Sequence, residues 1–285
     1  MTLPSMVAGY DRETTLRWCR RIDDGPYASL AVGERVTFRN QEQLVLLSAA
    51  AALTERVRIV STIVVAGLHA PALVAKRMAT LDVLSGGRLD VGLGVGSREH
   101  DFAAAERPFD RRPSRLESFA GELRRLWSGD VPFAGAEPVG PPPVRPGGPP
   151  LHCSSYGPRS LASGARWADG LLGFTFGADA SELQRSADAV RAAWEAAGRT
   201  TPPRLVTSAW VSLGADAAAR HRAYAEAYLR IEPAALPLVD HATVVGEHAL
   251  AAALDAAEAA GFDELLLVPT TVDEAELDRI EAVLA

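Results

Sequence analysis

The run Arg58–Val65 (RIVSTIVV) is the most constraining stretch of this chain. Eight residues rich in Val and Ile, with no polar alternation, fit a strand buried on both faces, and such strands belong to parallel sheets covered by helices. A second run of the same kind, Arg88–Val95, follows after Pro71, after Val74, Met78 and Leu81 at helical spacing, and after the stop signal Gly86-Gly87. The unit recurs. Apolar runs at Ser29–Val32, Pro150–Cys153, Gly170–Phe174, Leu205–Ser212 and Glu264–Val268 alternate with helical patterns, and Leu3–Val7 reads as a weak first strand interrupted by Pro4. Asn40 with Gln43, Ser114 with Glu117, and Asp273 with Glu276 have the spacing that opens helices. About eight strands with intervening helices imply an α/β chain of βαβ units. Alternation alone leaves both a (β/α)8 barrel and a doubly wound open sheet standing.

The chain has 285 residues, close to the ~250 of one such barrel, so a single domain over 1–285 is expected. Residues 134–150 are rich in Pro and Gly and lack periodicity, which marks an insertion loop rather than a boundary. A formal net charge of −7 speaks against nucleic acid and against an anionic membrane as partners. No apolar run reaches the ~18 residues that span a bilayer, and the first residues lack a signal-peptide pattern, so a cytoplasmic protein is expected. Two cysteines far apart, Cys19 and Cys153, make neither a disulfide framework nor a zinc site.

Chemistry in such folds gathers after the C-terminal ends of the strands. Those places hold Gly33-Glu34-Arg35, Ala66–His69, Gly96–His100, Ser154–Gly157, Thr175-Phe176 and Pro269-Thr270. His69, His100 and His152 are not spaced as metal ligands, so no metal is expected, and no nucleophile elbow is present. Gly92, Gly94 and Gly96 alternate within a strand, unlike a dinucleotide loop at a strand-to-helix turn. They suit either a wall that a flat ring approaches closely or tight packing inside a barrel. From Ser154 to Arg159 a strand ends and a helix starts at Pro158. Free N–H groups, the helix dipole, two serines and Arg159 favour an anion there, although an ordinary helix start fits as well.

The segments Thr54–Arg58, Ala70–Lys76, Ala79–Leu89 (with Leu84-Ser85-Gly86-Gly87-Arg88 at its centre) and Val91–Gly96 together resemble the luciferase-like monooxygenase superfamily. Val32–Arg35, Pro108-Phe109, Arg115–Glu117, Gly157–Arg159, Ala168–Gly170 and Ala260–Glu264 support this in the same order, so the resemblance covers nearly the whole chain. It implies a (β/α)8 TIM barrel, here with an abbreviated first strand. It implies an oxidoreductase using coenzyme F420 or, alternatively, FMN, and Pro108-Phe109 with the compact tail resembles the F420-using branch.

By position, the resemblance assigns Ser154, Ser155, Tyr156, Gly157 and Arg159 to the cofactor phosphate. It assigns Thr62, Ile63 and Val64, with Gly94, Gly96 and Ser97, to the ring, and Glu34 to a polar contact. Several relatives carry a non-proline cis peptide at the position between Thr62 and Ile63. Candidates to polarise or protonate a small organic substrate are Arg35, His69, Arg98 and His100. F420-dependent sugar-phosphate dehydrogenases carry a His and an acid where this chain has Arg35 and Ser97, which speaks against that chemistry. The loops that set the substrate are expected at Arg98–Arg112 and 134–150. The expected reaction is hydride transfer between F420 and the substrate. The alternatives are an FMN-dependent monooxygenase served by a reductase partner, and a non-catalytic barrel acting as a binding subunit. Family habit implies a homodimer.

Overall fold

The computed structural model describes residues 1–154, 157–230 and 233–285. Seven parallel strands form one sheet in chain order: β1 (Ser29–Val32), β2 (Arg58–Val65), β3 (Leu89–Gly94), β4 (Leu151–Cys153), β5 (Gly170–Leu172), β6 (Arg204–Val211) and β7 (Glu264–Pro269). The helices between them are α1 (Arg12–Asp24), α2 (Gln43–Leu53), α3 (Pro71–Leu84), α4 (Glu99–Ala104), α5 (Arg112–Trp127), α6 (Pro158–Trp167), α7 (Ala180–Ala196), α8 (Ala217–Leu229), α9 (Glu247–Ala259) and α10 (Ala275–Leu284). Every neighbouring strand pair is parallel, as each helical crossover requires.

The sheet curls into a nearly closed barrel, and the start of the chain sits in the gap. The Thr2 N–H donates to Leu267 O of β7 at 2.9 Å, while Leu3 N–H donates to Ala31 O and Ala31 N–H to Met1 O, both at 2.9 Å. The abbreviated first strand is therefore real, but it occupies 1–3 rather than Leu3–Val7. Pro4 has no N–H to extend the ladder, so the pairing stops there.

Two apolar layers follow from the strand period of two. Ala31, Val60, Leu172, Val206 and Leu266 fill the barrel interior, with Ile63 packed on them. A larger layer, including Trp18, Ile59, Leu81, Leu93, Leu123 and Trp194, joins the outside of the barrel to the helices.

The floor of the barrel is charged. Glu264 at the start of β7 accepts from Ser29, Arg58 and Arg204, all at or near strand starts. Asp90 lies 3.5 Å from Arg58 and 3.9 Å from His152. Burial pushes the Asp90 carboxyl up, but His152, Arg58 and Arg204 together outweigh this and hold its pKa below the usual range.

Residues 134–150 are tied to this same end. Val144 N–H donates to Asp82 Oδ2 at 2.8 Å, and Arg145 to Gly87 O at 2.6 Å. None of them lines the cavity described below, so the expectation that this loop helps set the substrate is corrected: the strap belongs to the floor. All three expected helix starts also differ: Glu276 turns away from the start of α10 to accept the Leu213 N–H at 2.8 Å. Glu42, not Asn40, caps α2 by accepting from Val45 N–H, and α5 begins at Arg112, before Ser114. Glu117 is engaged elsewhere, by Arg166 and Ser163.

Candidate active site

A cavity of about 1340 Å³ opens at the C-terminal ends of the strands, the end where barrels of this kind carry function. Each strand sends its following residues there, the abbreviated first included, with Pro4, Ser5 and Met6 in the lining. Gly33–Arg35 follow β1, and Thr62, Ile63 and Val65 end β2. Gly96–Arg98 follow β3, Ser154 and Gly157–Arg159 follow β4, and Phe174 and Phe176 follow β5. Trp210 ends β6 and Val268 ends β7.

The peptide between Thr62 and Ile63 is cis, as the resemblance implies. The β2–β3 register shifts between Ser61 and Val64, and both Thr62 and Ile63 line the cavity. From the helix side, Gln43 Nε2 donates to Val32 O at 2.7 Å and to Ile63 O at 3.4 Å, joining the ends of β1 and β2 beside this peptide. Val64 is placed otherwise than expected. It is 2% exposed and packs in the layer between barrel and helices, because strand alternation sends 63 and 65 inward and 64 outward.

The alternating glycines divide between the two readings. A Cβ at Gly92 would lie 2.6 Å from the Ser61 carbonyl oxygen and 2.9 Å from Ile63 Cγ2, and one at Gly94 would lie 1.9 Å from Ile63 Cδ1. These two make room for Ile63, so Gly94 supports the wall from behind and does not line the cavity. Gly96, with φ +68°, does line it, together with the exposed Ser97.

Glu34 lines the cavity and holds two partners. Its Oε2 accepts from Val65 N–H at 2.6 Å, and its Oε1 lies 2.7 Å from His69 Nε2. His69 therefore reaches the cavity through Glu34 and is not itself part of the lining. Arg35, with its side chain 2% exposed, lies 3.4 Å from Asp101 Oδ2 and stacks over Phe38 and Tyr228 at 4.6 and 5.3 Å. Arg98 stacks over Tyr228 at 4.5 Å, and its Nη2 lies 3.4 Å from Tyr228 O. Both arginines line the cavity. Burial raises the Asp101 carboxyl, yet the Thr37 hydroxyl and N–H and the Arg35 charge prevail and keep its pKa low. His100 is exposed on α4 and outside the lining, so its candidacy for substrate contact is not supported by its position.

At α6, Ser160 Oγ accepts from Gly157 N–H at 3.2 Å and donates to Gly157 O at 2.9 Å, which shapes the turn. Ser154, Gly157, Pro158 and Arg159 face the cavity at this helix start. Ser155 and Tyr156 lie outside the described residues. A phosphate-bearing flavin or deazaflavin fits these donors: a helix N-terminus without acidic residues in its first turn, hydroxyls and one guanidinium, all on a cavity wide enough for a tricyclic ring. Among the described residues no group of His, Cys, Asp or Glu could hold a metal ion, and no helix is long and apolar enough to cross a membrane.

Of the aromatic side of the cavity, sequence reasoning placed only Phe176 at a strand end and missed Phe174, Trp210, Tyr224 and Tyr228. Trp210 is ringed by Phe174, Phe176, Tyr224 and Tyr228 at centroid distances of 5.1–5.6 Å, all edge-on. The only advance signals were Tyr224 and Tyr228 one helical turn apart and Phe174 and Phe176 two residues apart after a strand. Asp101, which holds Arg35, was missed as well.

The comparisons agree with this geometry. The sequence profile described as luciferase-like monooxygenase matches residues 4–253. An uncharacterized protein of Mycobacterium tuberculosis is 31% identical over 175 residues, which is 59% of this chain and 61% of that protein; the match thus spans less than two thirds of the relative's length. In fold, the chain is similar to the monooxygenase RslO1 from Streptomyces bottropensis, with a TM-score of 0.80 and 23% identity over 100% of this chain and 96% of that one. It is also similar to an F420-dependent secondary alcohol dehydrogenase bound to an F420–acetone adduct, with a TM-score of 0.81 and 18% identity over 96% and 94% of the two chains. With the profile matched over most of its length and the mouth of its barrel built as described, the chain belongs to the luciferase-like monooxygenase family of oxidoreductases.

Proposed function

We propose that this protein is an F420-dependent oxidoreductase that transfers a hydride between the deazaflavin and a small organic substrate in the cavity at the barrel mouth. The observation that carries the reading is the pairing, on one cavity, of the α6 start at Gly157–Arg159 with the ring-sized wall of Thr62, Ile63 and Gly96. Arg159, Ser154 and the first N–H groups of α6 would hold the phosphate, with Thr62, Ile63, Gly96 and Ser97 against the ring. When bound, the cofactor supplies or accepts the hydride. The protein's own part is orientation and exclusion of water. Arg35, fixed by Asp101, and Arg98 place positive charge at the cavity, and Glu34 with His69 offers a site where a proton can be held.

A second reading, an FMN-dependent monooxygenase served by a reductase partner, has support in the structural likeness to a Pseudomonas putida monooxygenase solved in complex with FMN. The ground for a non-catalytic barrel is weaker now, because residues 1–3 do fill the gap between β1 and β7. We also propose association as a homodimer through the outer faces of α2 and α3, where Val45, Leu73, Val83 and Leu84 are 71, 54, 47 and 49% exposed.

Titration of the protein with oxidised and reduced F420, and in parallel with FMN, tests the reading. F420 is expected to bind with a spectral change, and Arg159→Ala to weaken it ~10-fold, as loss of a charge-assisted phosphate contact does. Preference for FMN moves the conclusion to the second reading, and binding of neither overturns both.

A further inference from the structure

The rings around Trp210 form a box on the side of the mouth opposite the proposed ring wall. In barrel order, Thr62, Ile63 and Gly96 come from β2 and β3, whereas Phe174, Phe176 and Trp210 come from β5 and β6, with Tyr224 and Tyr228 on α8. Trp210 is 4% exposed, but the four rings about it are only half-buried, although they stand inside the molecule. What remains uncovered of them faces the cavity, where all five residues are part of the lining. Aromatic residues so placed are the unfinished side of a core, and a ligand that covers them completes it.

The geometry favours flat ligands. Phe174, Phe176, Tyr224 and Tyr228 each meet the Trp210 ring at 64–90°, and Tyr224 and Tyr228 stack at 19° to one another. Such a box presents both faces and edges to an incoming ring. No charged side chain is among the five residues of the box itself. The cations at its edge, Arg35 and Arg98, lie over Tyr228, and Asp101 balances Arg35. Burial and the neighbouring Tyr228 push the Tyr224 hydroxyl up, so it is neutral across the ordinary pH range.

We infer that the Phe174–Phe176–Trp210–Tyr224–Tyr228 box is the substrate subsite and that it takes an uncharged molecule with a flat apolar ring system, rather than a sugar phosphate or another anion. The inference rests on the proposed function only in treating the occupant as a substrate.

The test uses acetylnaphthalene, a neutral bicyclic ketone, and glucose phosphate, an anion, titrated calorimetrically into the purified protein. Tryptophan fluorescence is followed alongside. Acetylnaphthalene is expected to bind and alter the emission, and glucose phosphate to bind at least ~10-fold more weakly. Phe176→Asp, which sets a charge in the box, is expected to weaken acetylnaphthalene 10-fold or more, in keeping with what shape and polarity of an apolar pocket contribute. Should that variant lose its circular dichroism signature, Phe176→Ala replaces it, with a loss of several-fold expected. No binding of acetylnaphthalene, equal binding by the variants, or tighter binding of glucose phosphate overturns the inference. Cofactor titration is run separately: its failure with acetylnaphthalene still bound sinks the proposed function and spares the box, and the converse result does the reverse.

Discussion

Glu34 Oε1 and His69 Nε2 lie 2.7 Å apart, and the second carboxylate oxygen of Glu34 takes the Val65 N–H at 2.6 Å. A residue just past β1 thereby fixes the end of β2, next to the Thr62–Ile63 wall. Glu34→Ala leaves the Val65 N–H and the His69 ring without this acceptor. We expect a loss of about 1–3 kcal/mol of stability and a ~10-fold loss of cofactor affinity. Glu34→Gln keeps one oxygen acceptor and is expected to lose less of both. Urea unfolding together with cofactor titration checks this. Wild-type affinity in Glu34→Ala would show that the dyad does not position the wall.

The glycines of β3 and its exit give a contrast within one short segment. At Gly92 an added methyl meets backbone, the Ser61 oxygen, which cannot swing away. Gly92→Ala is therefore expected to cost ~1–3 kcal/mol by overpacking. At Gly96 the φ of +68° already disfavours a side chain, and the methyl would press on Val65 Cγ1 at 2.5 Å at the cavity wall. Gly96→Ala is expected to lower cofactor affinity more steeply than Gly92→Ala does. Thermal melts with and without cofactor separate the two effects, and the reverse order would refute the assignment of Gly96 to the wall.

His221 sets a pH dependence from behind the aromatic box, its ring 6.5 Å from that of Trp210. It is 2% exposed, its Nδ1 lies 3.0 Å from Ser212 Oγ, and Ser212 in turn bonds Thr270. Burial pushes its pKa down to about 4 from an ordinary 6.5. The unfolded chain therefore binds this proton first, so stability falls as pH drops from about 6.5 towards 4 and this loss is complete below both values. The size is on the order of 3 kcal/mol. Buried Glu276 acts with the opposite sign, since burial raises its pKa and acid favours its folded form. The difference between wild type and His221→Gln isolates the histidine. Denaturant midpoints measured between pH 7 and pH 4 should converge as the pH falls. Parallel curves would exclude His221 as the cause.

Glu264 is the hub of the barrel floor, with its side chain 9% exposed and two guanidinium partners. Glu264→Ala leaves Arg58 and Arg204 without it, and a cost of about 3–5 kcal/mol follows. The floor lies at the opposite end of the strands from the cavity, so cofactor affinity at low temperature is expected to stay within about twofold of wild type. Chemical denaturation and titration on the same preparation measure both quantities. A large affinity loss in the folded variant would join floor and mouth into one unit.

Most of the fold was legible from local pattern. The Val- and Ile-rich runs, the helical spacing after Pro71 and the Gly86-Gly87 stop placed β2, α3 and β3, and the segment around Leu84–Arg88 carried the family and with it the barrel. The cavity's β2, β3 and β4 side was legible for the same reason: Thr62, Ile63, Gly96, Ser97 and the α6 start are each set by a strand end and the turn after it. The sequence by itself determined which residues lie at the strand ends. Tertiary structure alone decided which of them face the cavity and which distant residues they meet. A one-residue change of face, read only from the paired strands, sends Val64 to the helices and Ile63 to the mouth. Barrel closure joins Met1–Leu3 to β1 and β7, sets Asp101 against Arg35, and gathers Phe174, Trp210 and Tyr228 from three elements far apart in the chain. Periodicity encodes the faces of one element at a time, whereas these contacts are made between elements, by the way the ring of strands closes.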